Sequence, residues 1–190
     1  MIEPDMESGG MMGNGIMMCG LNGSGKSTLG KALAERLGYY FIDNERLFFP
    51  KTDGRYLFAS PRSKEEVEEL LMDEVREHED FLFAAVKGDY GEEVQELYRY
   101  VILVKTPGNV RKERVRSRSF QKFGDRMQPG GDLYEQEEAF FQMAADRTDK
   151  FIEEWLDSVD CPVICVDGTD PVERNVEYIM SRLDLHNIER

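Results

Sequence analysis

The chain has 190 residues, enough for one domain, and its 24 Lys and Arg against 38 Asp and Glu give a formal charge of −14. Such an acidic chain is repelled by nucleic acids and anionic membranes, which argues against a general binder of either. No apolar run approaches the roughly 20 residues of a membrane span. Three cysteines (Cys19, Cys161, Cys165) and two histidines (His78, His186) offer neither a disulfide framework nor a zinc site. We therefore expect a protein of the reducing cytoplasm.

The chain order predicts an α/β fold. Residues 1–14 are rich in Met, Gly and acids without periodicity, so we predict a disordered leader followed by a single domain over 15–190. Five short apolar runs then alternate with helical patterns. They predict buried strands at 16–19, 39–42, 81–85, 101–104 and 163–166. Strands separated by helices imply crossovers, and hence a five-stranded parallel sheet in a three-layer α/β sandwich.

Helix signals lie between these runs. Ser63 with Glu66 three residues later predicts a capping box at the start of one helix. The last helix is predicted to begin with Asp170 at the N-cap, followed by Pro171 at the first helical position. One long helix is expected after residue 131, because apolar residues recur at helical spacing up to Trp155.

The strongest motif is Gly20-Leu21-Asn22-Gly23-Ser24-Gly25-Lys26-Ser27-Thr28, which fits the P-loop pattern G-x-x-x-x-G-K-[ST]. Its glycines let backbone N–H groups turn inward around a phosphate, and the next helix points its positive end at the same anion. Lys26 would reach the β- and γ-phosphates, and the Ser27 hydroxyl would sit on Mg²⁺. The predicted nucleotide-binding residues are Gly20, Asn22, Gly23, Ser24, Gly25, Lys26, Ser27 and Thr28.

Absent motifs narrow the class of P-loop protein. The chain has no N-K-x-D guanine-reading motif and no D-x-x-G switch after a strand. It also lacks the hhhhD[DE] strand ending of motor and AAA-type ATPases, since Val86-Lys87-Gly88-Asp89 follows the third strand. These absences argue against a GTPase, a motor or an AAA-type ATPase.

Two carboxylates follow the second predicted strand, at Asp43 and Glu45. Ligands of parallel α/β sheets bind at the carboxyl ends of the strands, so both acids are expected near the P-loop. Asp43 could hold Mg²⁺ or take a proton, and Glu45 could meet an acceptor hydroxyl. A solvated acidic turn is the alternative for both.

The basic residues cluster between 105 and 126, where eight cations against two acids give a local charge of +6 and leave −20 elsewhere. Arg111, Arg114 and Arg118 are spaced three and four apart, on one helix face. We predict that the glycine-bearing segment beyond them, residues 119–131, forms a mobile lid that closes over the transferring phosphate. A basic surface helix that aids solubility is the alternative.

Arg147 falls on the apolar stripe of the long predicted helix, between Met143 and Phe151. A cation facing a core must be paired or must open onto an anion. An internal pair with a carboxylate and a contact with a bound phosphoryl group are both open.

These motifs resemble those of the small P-loop kinases of nucleotides and metabolites, the adenylate kinase and shikimate/gluconate kinase group. The likeness rests on the P-loop run at 21–43, on the arginine segment and on the VDGTDPVERNVEYI run at 166–179. It implies a P-loop NTPase fold with strand order 2-3-1-4-5 and an arginine-rich lid, with the loop 167–169 beside the adenine of ATP. It also implies that Arg114, Arg118 and Arg147 are the lid and post-lid arginines. The FIDNE segment at 41–45 is similar to the F-x-D-x-D stretch of shikimate and gluconate kinases.

The chain departs from that group after the third strand, where Lys87-Gly88-Asp89-Tyr90-Gly91 replaces both the D-G-[FY]-P-R stretch of nucleoside monophosphate kinases and the glycine run of shikimate kinases. Residues 44–62 and 87–92 are expected to shape the acceptor pocket. The candidate contacts there are Arg55, Tyr56, Phe58 and Arg62.

We therefore expect an enzyme that uses ATP and Mg²⁺ to phosphorylate a small, anionic acceptor, a nucleoside monophosphate or a metabolite hydroxyl. The predicted catalytic residues are Lys26, Asp43, Asp89, Arg114, Arg118 and Arg147, and the predicted metal ligands are Ser27 and Asp43. A nucleotide-binding regulatory ATPase without a small-molecule acceptor is the alternative. Phosphorylation of nucleic-acid ends is a third option, against which the charge of −20 outside the basic segment argues.

Overall fold

The computed structural model describes residues 14–183, so the predicted leader lies outside the described residues apart from Asn14. The five strands are β1 (Asn14–Cys19), β2 (Tyr40–Asp43), β3 (Asp80–Ala85), β4 (Tyr98–Lys105) and β5 (Val163–Asp167). They form one sheet in the order β2-β3-β1-β4-β5, and every pair is parallel. The sheet and its strand order are those predicted from the sequence.

Eight α-helices and one 3-10 helix connect the strands within the described residues. The helices are α1 (Lys26–Leu37), α2 (Asn44–Phe48), α3 (Lys64–Glu77), α4 (Glu92–Glu96), α5 (Gly108–Phe123), α6 (Tyr134–Asp146), α7 (Lys150–Leu156) and α8 (Val172–Arg182), and the 3-10 helix spans Gly124–Met127. No helix in residues 14–183 combines the length and the apolarity needed to cross a membrane.

Successive residues of each strand point to opposite faces of the sheet and pack into two apolar cores. Ile16 and Met18 of β1 pack with the buried leucines of α1 and with Ile179 of α8. Met17 and Cys19 face the opposite side, where α3 and α7 supply buried residues such as Trp155. The sheet is therefore buried on both faces, as expected for parallel strands. All five strands end at one edge, which brings the segments that follow them together.

Helix starts agree with the sequence at some positions and differ at others. The capping box of α3 is present, with the Ser63 hydroxyl accepting from the Glu66 N–H and the Glu66 carboxylate accepting from the Ser63 N–H. The α8 helix begins at Val172 with Pro171 as its N-cap, one residue later than predicted. Asp170 instead accepts from Arg174, so it does not cap the backbone.

The segment 119–131 is not the continuous loop that the sequence predicted. Helix α5 runs on to Phe123, because Val115, Ser119 and Phe123 repeat every four residues on one buried face. The 3-10 helix follows directly, and Met127 and Leu133 are buried with Phe123 in a third apolar cluster.

The long helix expected up to Trp155 is interrupted at Arg147. Helix α6 ends at Asp146, Arg147 is extended (φ −68°, ψ 120°), and α7 starts at Lys150. The carbonyl of Asp149 accepts from the N–H groups of Ile152 and Glu153, so a new helix starts there.

Candidate functional site

The loop between β1 and α1 has the geometry of a phosphate cradle. Gly23 (φ 81°) and Gly25 (φ 100°) occupy left-handed conformations that favour glycine. A Cβ on Gly23 would come within 2.5 Å of the Arg111 carbonyl oxygen, so only glycine fits there. Helix α1 begins at Lys26 with no side-chain cap and no acid in its first turn, which leaves its N-terminal N–H groups free for an anion.

Lys26 is the first residue of α1 and the lysine of the P-loop motif. Burial, with a contribution from the positive charge of Arg118, lowers the pKa of its ammonium to about 8, while Asp43 opposes the shift. A phosphate would replace the missing hydration and restore the charged form. Lys26 is therefore suited to binding an anion rather than to a structural ion pair.

Of the three arginines on one face of α5, Arg111 and Arg114 hold the P-loop through carbonyl groups. Arg111 donates from Nε to the Thr106 carbonyl (3.2 Å) and from Nη1 to the Asn22 carbonyl (3.4 Å). Arg114 donates from Nη1 to the carbonyls of Gly168 (2.9 Å) and Ser24 (3.4 Å). The basic helix is thus docked on the P-loop, and is not merely a solvated surface.

Arg118, the third arginine of that face, points into a cleft of about 500 Å³ beside the P-loop. The cleft runs from Lys26 and Ser27 to an outer part lined mainly by aromatic side chains. Asp43, Asp89 and Arg147 also line it. The structure therefore brings together all of the predicted catalytic residues except Arg114, which lies on the other side of the loop.

Arg147 reaches this cleft from the extended break between α6 and α7. Its Nη1 donates to the Asn22 Oδ1 at 3.0 Å, and its guanidinium lies over the Phe151 ring at 5.5 Å. Within the described residues its hydrogen bond goes to an amide oxygen rather than a carboxylate, so the internal ion pair left open above does not form there. Partial burial lowers the pKa of Arg147, but an arginine stays charged near neutral pH.

The three carboxylates of the cleft have different surroundings. Asp43 caps α2 by accepting from the Glu45 N–H at 3.0 Å with one oxygen. Asp89 pairs with Lys87 at 2.9 Å. Burial opposes ionisation of Glu45, but Lys122 (3.2 Å) and Arg118 (3.8 Å) outweigh it and lower its pKa.

Glu45 therefore contacts cations in the cleft that it lines, and its predicted contact with an acceptor hydroxyl stays a prediction. Of the predicted acceptor contacts, Tyr56 and Phe58 line the cleft. Arg62 donates to the Leu47 carbonyl at 2.6 Å, and neither it nor Arg55 lines the cleft.

Several lining residues were missed by sequence reasoning. Phe140, Met143 and Phe151 were assigned to the apolar face of a buried helix, but they line the cleft. Met143 and Phe151 are 40% and 38% exposed. Thr148-Asp149, residue types that often begin helices, was the signal that could have placed the break and turned these side chains outward.

A second, smaller cavity of about 220 Å³ meets the P-loop from the other side. Ser24, Gly25, Thr28, Arg114 and Gly168 line it. It lies beside the loop after β5, where the kinase resemblance expects an adenine. P-loop residues thus line both this cavity and the larger cleft, which gives room for a donor and an acceptor.

No group of three or more His, Cys, Asp or Glu side chains in residues 14–183 is arranged to hold a metal ion. Magnesium at a phosphate site does not need such a group, since it keeps water ligands and takes one or two carboxylates plus phosphate oxygens. Ser27 and Asp43 line the same cleft, and the second Asp43 oxygen is not used by the helix cap. The residues present fit Mg²⁺ held jointly with a nucleotide.

Known proteins resemble this chain, some over most of its length and one over a short segment. The protein YqaC of Bacillus subtilis (strain 168), described as uncharacterized, is 26% identical over 180 residues, covering 90% of this chain and 98% of YqaC. Shikimate kinase 2 of Yersinia enterocolitica is 57% identical over 37 residues, 20% of this chain and 21% of that enzyme. A solved gluconokinase from Sinorhizobium meliloti 1021 has a TM-score of 0.52 at 17% identity, over 90% of this chain and 91% of its own, which shows a shared fold.

A family model described as an AAA domain matches residues 16–139, from the P-loop strand into α6. The chain thus matches this model although β3 lacks the hhhhD[DE] ending of motor and AAA-type ATPases. The fold remains that of the small P-loop kinases, with the strand order that the resemblance implied. The chain belongs to the AAA-domain family of P-loop proteins.

Proposed function

We propose that this protein is a phosphotransferase that moves the γ-phosphoryl group of ATP, bound with Mg²⁺, to a small anionic acceptor. One observation carries the proposal: Lys26, Ser27, Asp43, Arg118 and Arg147 line a single cleft at the carboxyl edge of the sheet. A phosphoryl transfer site needs positioned cations around the γ-phosphate and little covalent chemistry from the protein. The short match to a shikimate kinase and the shared gluconokinase fold support it.

The donor would lie across the P-loop. Its adenine would occupy the cavity beside Gly168 and Arg114, and its β- and γ-phosphates would receive N–H groups of residues 23–28. Ser27 and Asp43 would hold Mg²⁺, which would neutralise charge on the phosphates. Lys26 would contact the β- and γ-oxygens.

In the transfer step an acceptor oxygen attacks the γ-phosphorus, and the bond from that phosphorus to the β–γ bridging oxygen breaks. Arg118 and Arg147 would stabilise the equatorial oxygens as charge develops there. A hydroxyl acceptor would lose its proton to Asp43 or Asp89, whereas a phosphate acceptor has none to lose. ADP and the phosphorylated acceptor are the products.

The segment 119–131 stays part of this proposal as a lid. It includes the last turn of α5, just after Arg118, and leads towards α6, whose Phe140 and Met143 line the cleft. A shift of this segment would therefore move residues on two sides of the acceptor. Closure would exclude water from the phosphoryl group.

The test is ADP release from ATP and Mg²⁺ with nucleoside monophosphates, nucleosides, shikimate, gluconate and short oligonucleotides as acceptors. We expect about tenfold or greater stimulation by one small acceptor, and loss of at least about a hundredfold in Lys26→Ala, which removes a charged transition-state contact. Lys31→Ala is the matched control, because Lys31 lies exposed on the same helix. A slow rate that no acceptor changes, with ATP still bound, would favour the regulatory ATPase.

A further inference from the structure

Aromatic side chains line the part of the cleft away from the P-loop. Phe48, Phe49, Tyr56 and Phe58 come from α2 and the segment after it, and Phe140 and Phe151 come from α6 and α7. Large apolar side chains normally avoid exposure, yet Phe151 and the neighbouring Met143 are 38% and 40% exposed. Partly exposed apolar groups in a concave site indicate a ligand with apolar surface to bury.

The first group of rings forms a continuous, ordered surface. Phe49 and Phe58 meet edge to face with centroids 5.1 Å apart at 70°, and Tyr56 and Phe58 do so at 5.7 Å and 85°. Phe123 supports Tyr56 and Phe58 from behind, with centroids 5.5 Å and 5.9 Å away. Edge-to-face packing of this kind fixes ring orientation, so the surface is formed before a ligand arrives.

Three polar side chains at this end of the cleft have partners within the protein, whereas the buried Asn44 Oδ1 has no hydrogen-bond partner in residues 14–183. The Tyr56 hydroxyl donates to the Glu137 Oε1 at 2.8 Å, so it is engaged by a buried carboxylate. The Glu45 carboxylate accepts from Lys122, and Asp89 pairs with Lys87. A polyol bound here would compete with these internal partners for its hydrogen bonds.

We propose that the acceptor carries a planar aromatic ring, which lies against these side chains while its reacting hydroxyl or phosphate points towards Lys26 and Asp43. The inference rests on the proposed function in taking this cleft as the acceptor side. The adenine of the donor has a separate place, in the cavity lined by Arg114 and Gly168. A polyol such as gluconate lacks the ring face that this surface fits.

The experiment measures binding first and turnover second. Protein saturated with a non-hydrolysable ATP analogue and Mg²⁺ is titrated calorimetrically with thymidine, thymidine monophosphate and pyridoxine as ring probes, and with gluconate and shikimate as probes without an aromatic ring. The same five compounds are then offered with ATP, and ADP release is followed. Loading the donor site first prevents a ring probe from binding in place of the adenine.

The diagnostic variant is Phe151→Leu, which removes a ring but keeps an apolar side chain. Tyr178→Leu is its matched control, because Tyr178 is also exposed (44%), also lies on a helix and carries the Arg182 guanidinium over its ring at 5.7 Å, outside the cleft. We expect Phe151→Leu to weaken binding of a ring probe about two- to tenfold, the range of a lost aromatic contact, and Tyr178→Leu to leave it unchanged.

The outcomes separate this inference from the proposed function. The inference is supported if a ring probe binds and Phe151→Leu weakens that binding. If, in addition, no phosphate is transferred to any of the five compounds, only the kinase proposal fails. Transfer to gluconate or shikimate, with no ring probe bound, overturns the inference and leaves the kinase proposal standing. Failure of every ring probe to bind, or equal loss in both variants, also overturns the inference.

Discussion

Lys26 is a half-buried cation whose lowered pKa lies within the pH range in which the protein can be studied. Its pKa of about 8 lies below its usual 10.5 because burial disfavours the ammonium. Between these two values the folded chain has lost a proton that the unfolded chain keeps, so the Lys26 contribution to stability rises with pH there. Phosphate binding has the opposite dependence, since it needs the charged form.

We predict that the affinity for ADP with Mg²⁺ falls as pH rises through 8, by roughly tenfold between pH 7 and pH 9, as the protonated fraction of Lys26 falls. Calorimetric titration across this range measures the slope. In Lys26→Arg the guanidinium stays charged, so its affinity should be flat over the same range. An equal slope in both proteins would show that another group titrates.

Glu137 is a second unusual residue, because its side chain is completely buried on α6. Its Oε1 accepts from Tyr56, and its Oε2 has no hydrogen-bond partner within the described residues. Burial and this carboxylate both raise the pKa of Tyr56, so the phenol remains a donor at every practical pH. The pair holds the segment after α2 against α6.

We predict that Tyr56→Phe lowers the free energy of unfolding by about 1–3 kcal/mol, because it leaves both Glu137 oxygens buried without a donor. The double variant Tyr56→Phe with Glu137→Leu should recover most of this loss, since replacing both partners by apolar groups removes the unpaired charge. Urea unfolding of the wild type, Tyr56→Phe, Glu137→Leu and the double variant measures these free energies. The pairing would be contradicted if the double variant lost as much free energy of unfolding as the two single variants lose together.

The residues of the phosphate site could be predicted because a P-loop is a local motif, in which each glycine and the lysine act through their own backbone positions. The residues that line the acceptor side of the cleft could be predicted mainly as two ranges, 44–62 and 87–92. Arg147 was singled out as a cation on an apolar stripe, but its partner Asn22 is 125 residues away in sequence. No local pattern encodes such a contact.

At the scale of elements, the strands were predictable since a buried parallel strand is a short apolar run, and all five runs lie in strands or adjoin them. The short helices α2 and α4 were missed because five residues carry no periodicity. The α6–α7 break was missed because it contains neither Gly nor Pro, the residues that most clearly interrupt a helix.

The loop between β5 and α8 packs closely on the P-loop. A Cβ on Gly168 would lie 2.2 Å from the Thr106 Oγ1 and 2.3 Å from the Ser24 carbonyl oxygen. Thr106 itself donates to that carbonyl at 3.0 Å, so the contact ties three segments together. Glycine at 168 is therefore required by space rather than by backbone conformation.

We predict that Gly168→Ala pushes this loop away from the P-loop and weakens the binding of ADP with Mg²⁺ about fivefold or more, a typical effect of overpacking. Gly54→Ala is the control, since a Cβ there would meet nothing within 4 Å. Titration of both variants with ADP and Mg²⁺ measures the change in affinity. An unchanged affinity in Gly168→Ala would place the nucleoside away from this loop.

At the scale of the whole molecule, charge is arranged around the P-loop. The residues from 105 to 126 carry +6 while the remainder carries −20. Arg111 and Arg114 of that segment contact the P-loop, and Arg118 lines the cleft. A small basic region on an otherwise acidic protein attracts a compact anion. A long polyanion also contacts the acidic surface, which repels it.

We therefore predict that ADP with Mg²⁺ at about 100 times its dissociation constant stabilises the protein by about 2.7 kcal/mol, raising the melting temperature by roughly 5–11 °C for a chain of this size. A single-stranded 20-mer at the same phosphate concentration should give no rise, and Lys26→Ala should lose the rise with ADP. Thermal unfolding at low salt measures all three. The charge argument would be contradicted if the 20-mer raised the melting temperature and Lys26→Ala kept that rise. That result would favour nucleic-acid ends as the acceptor.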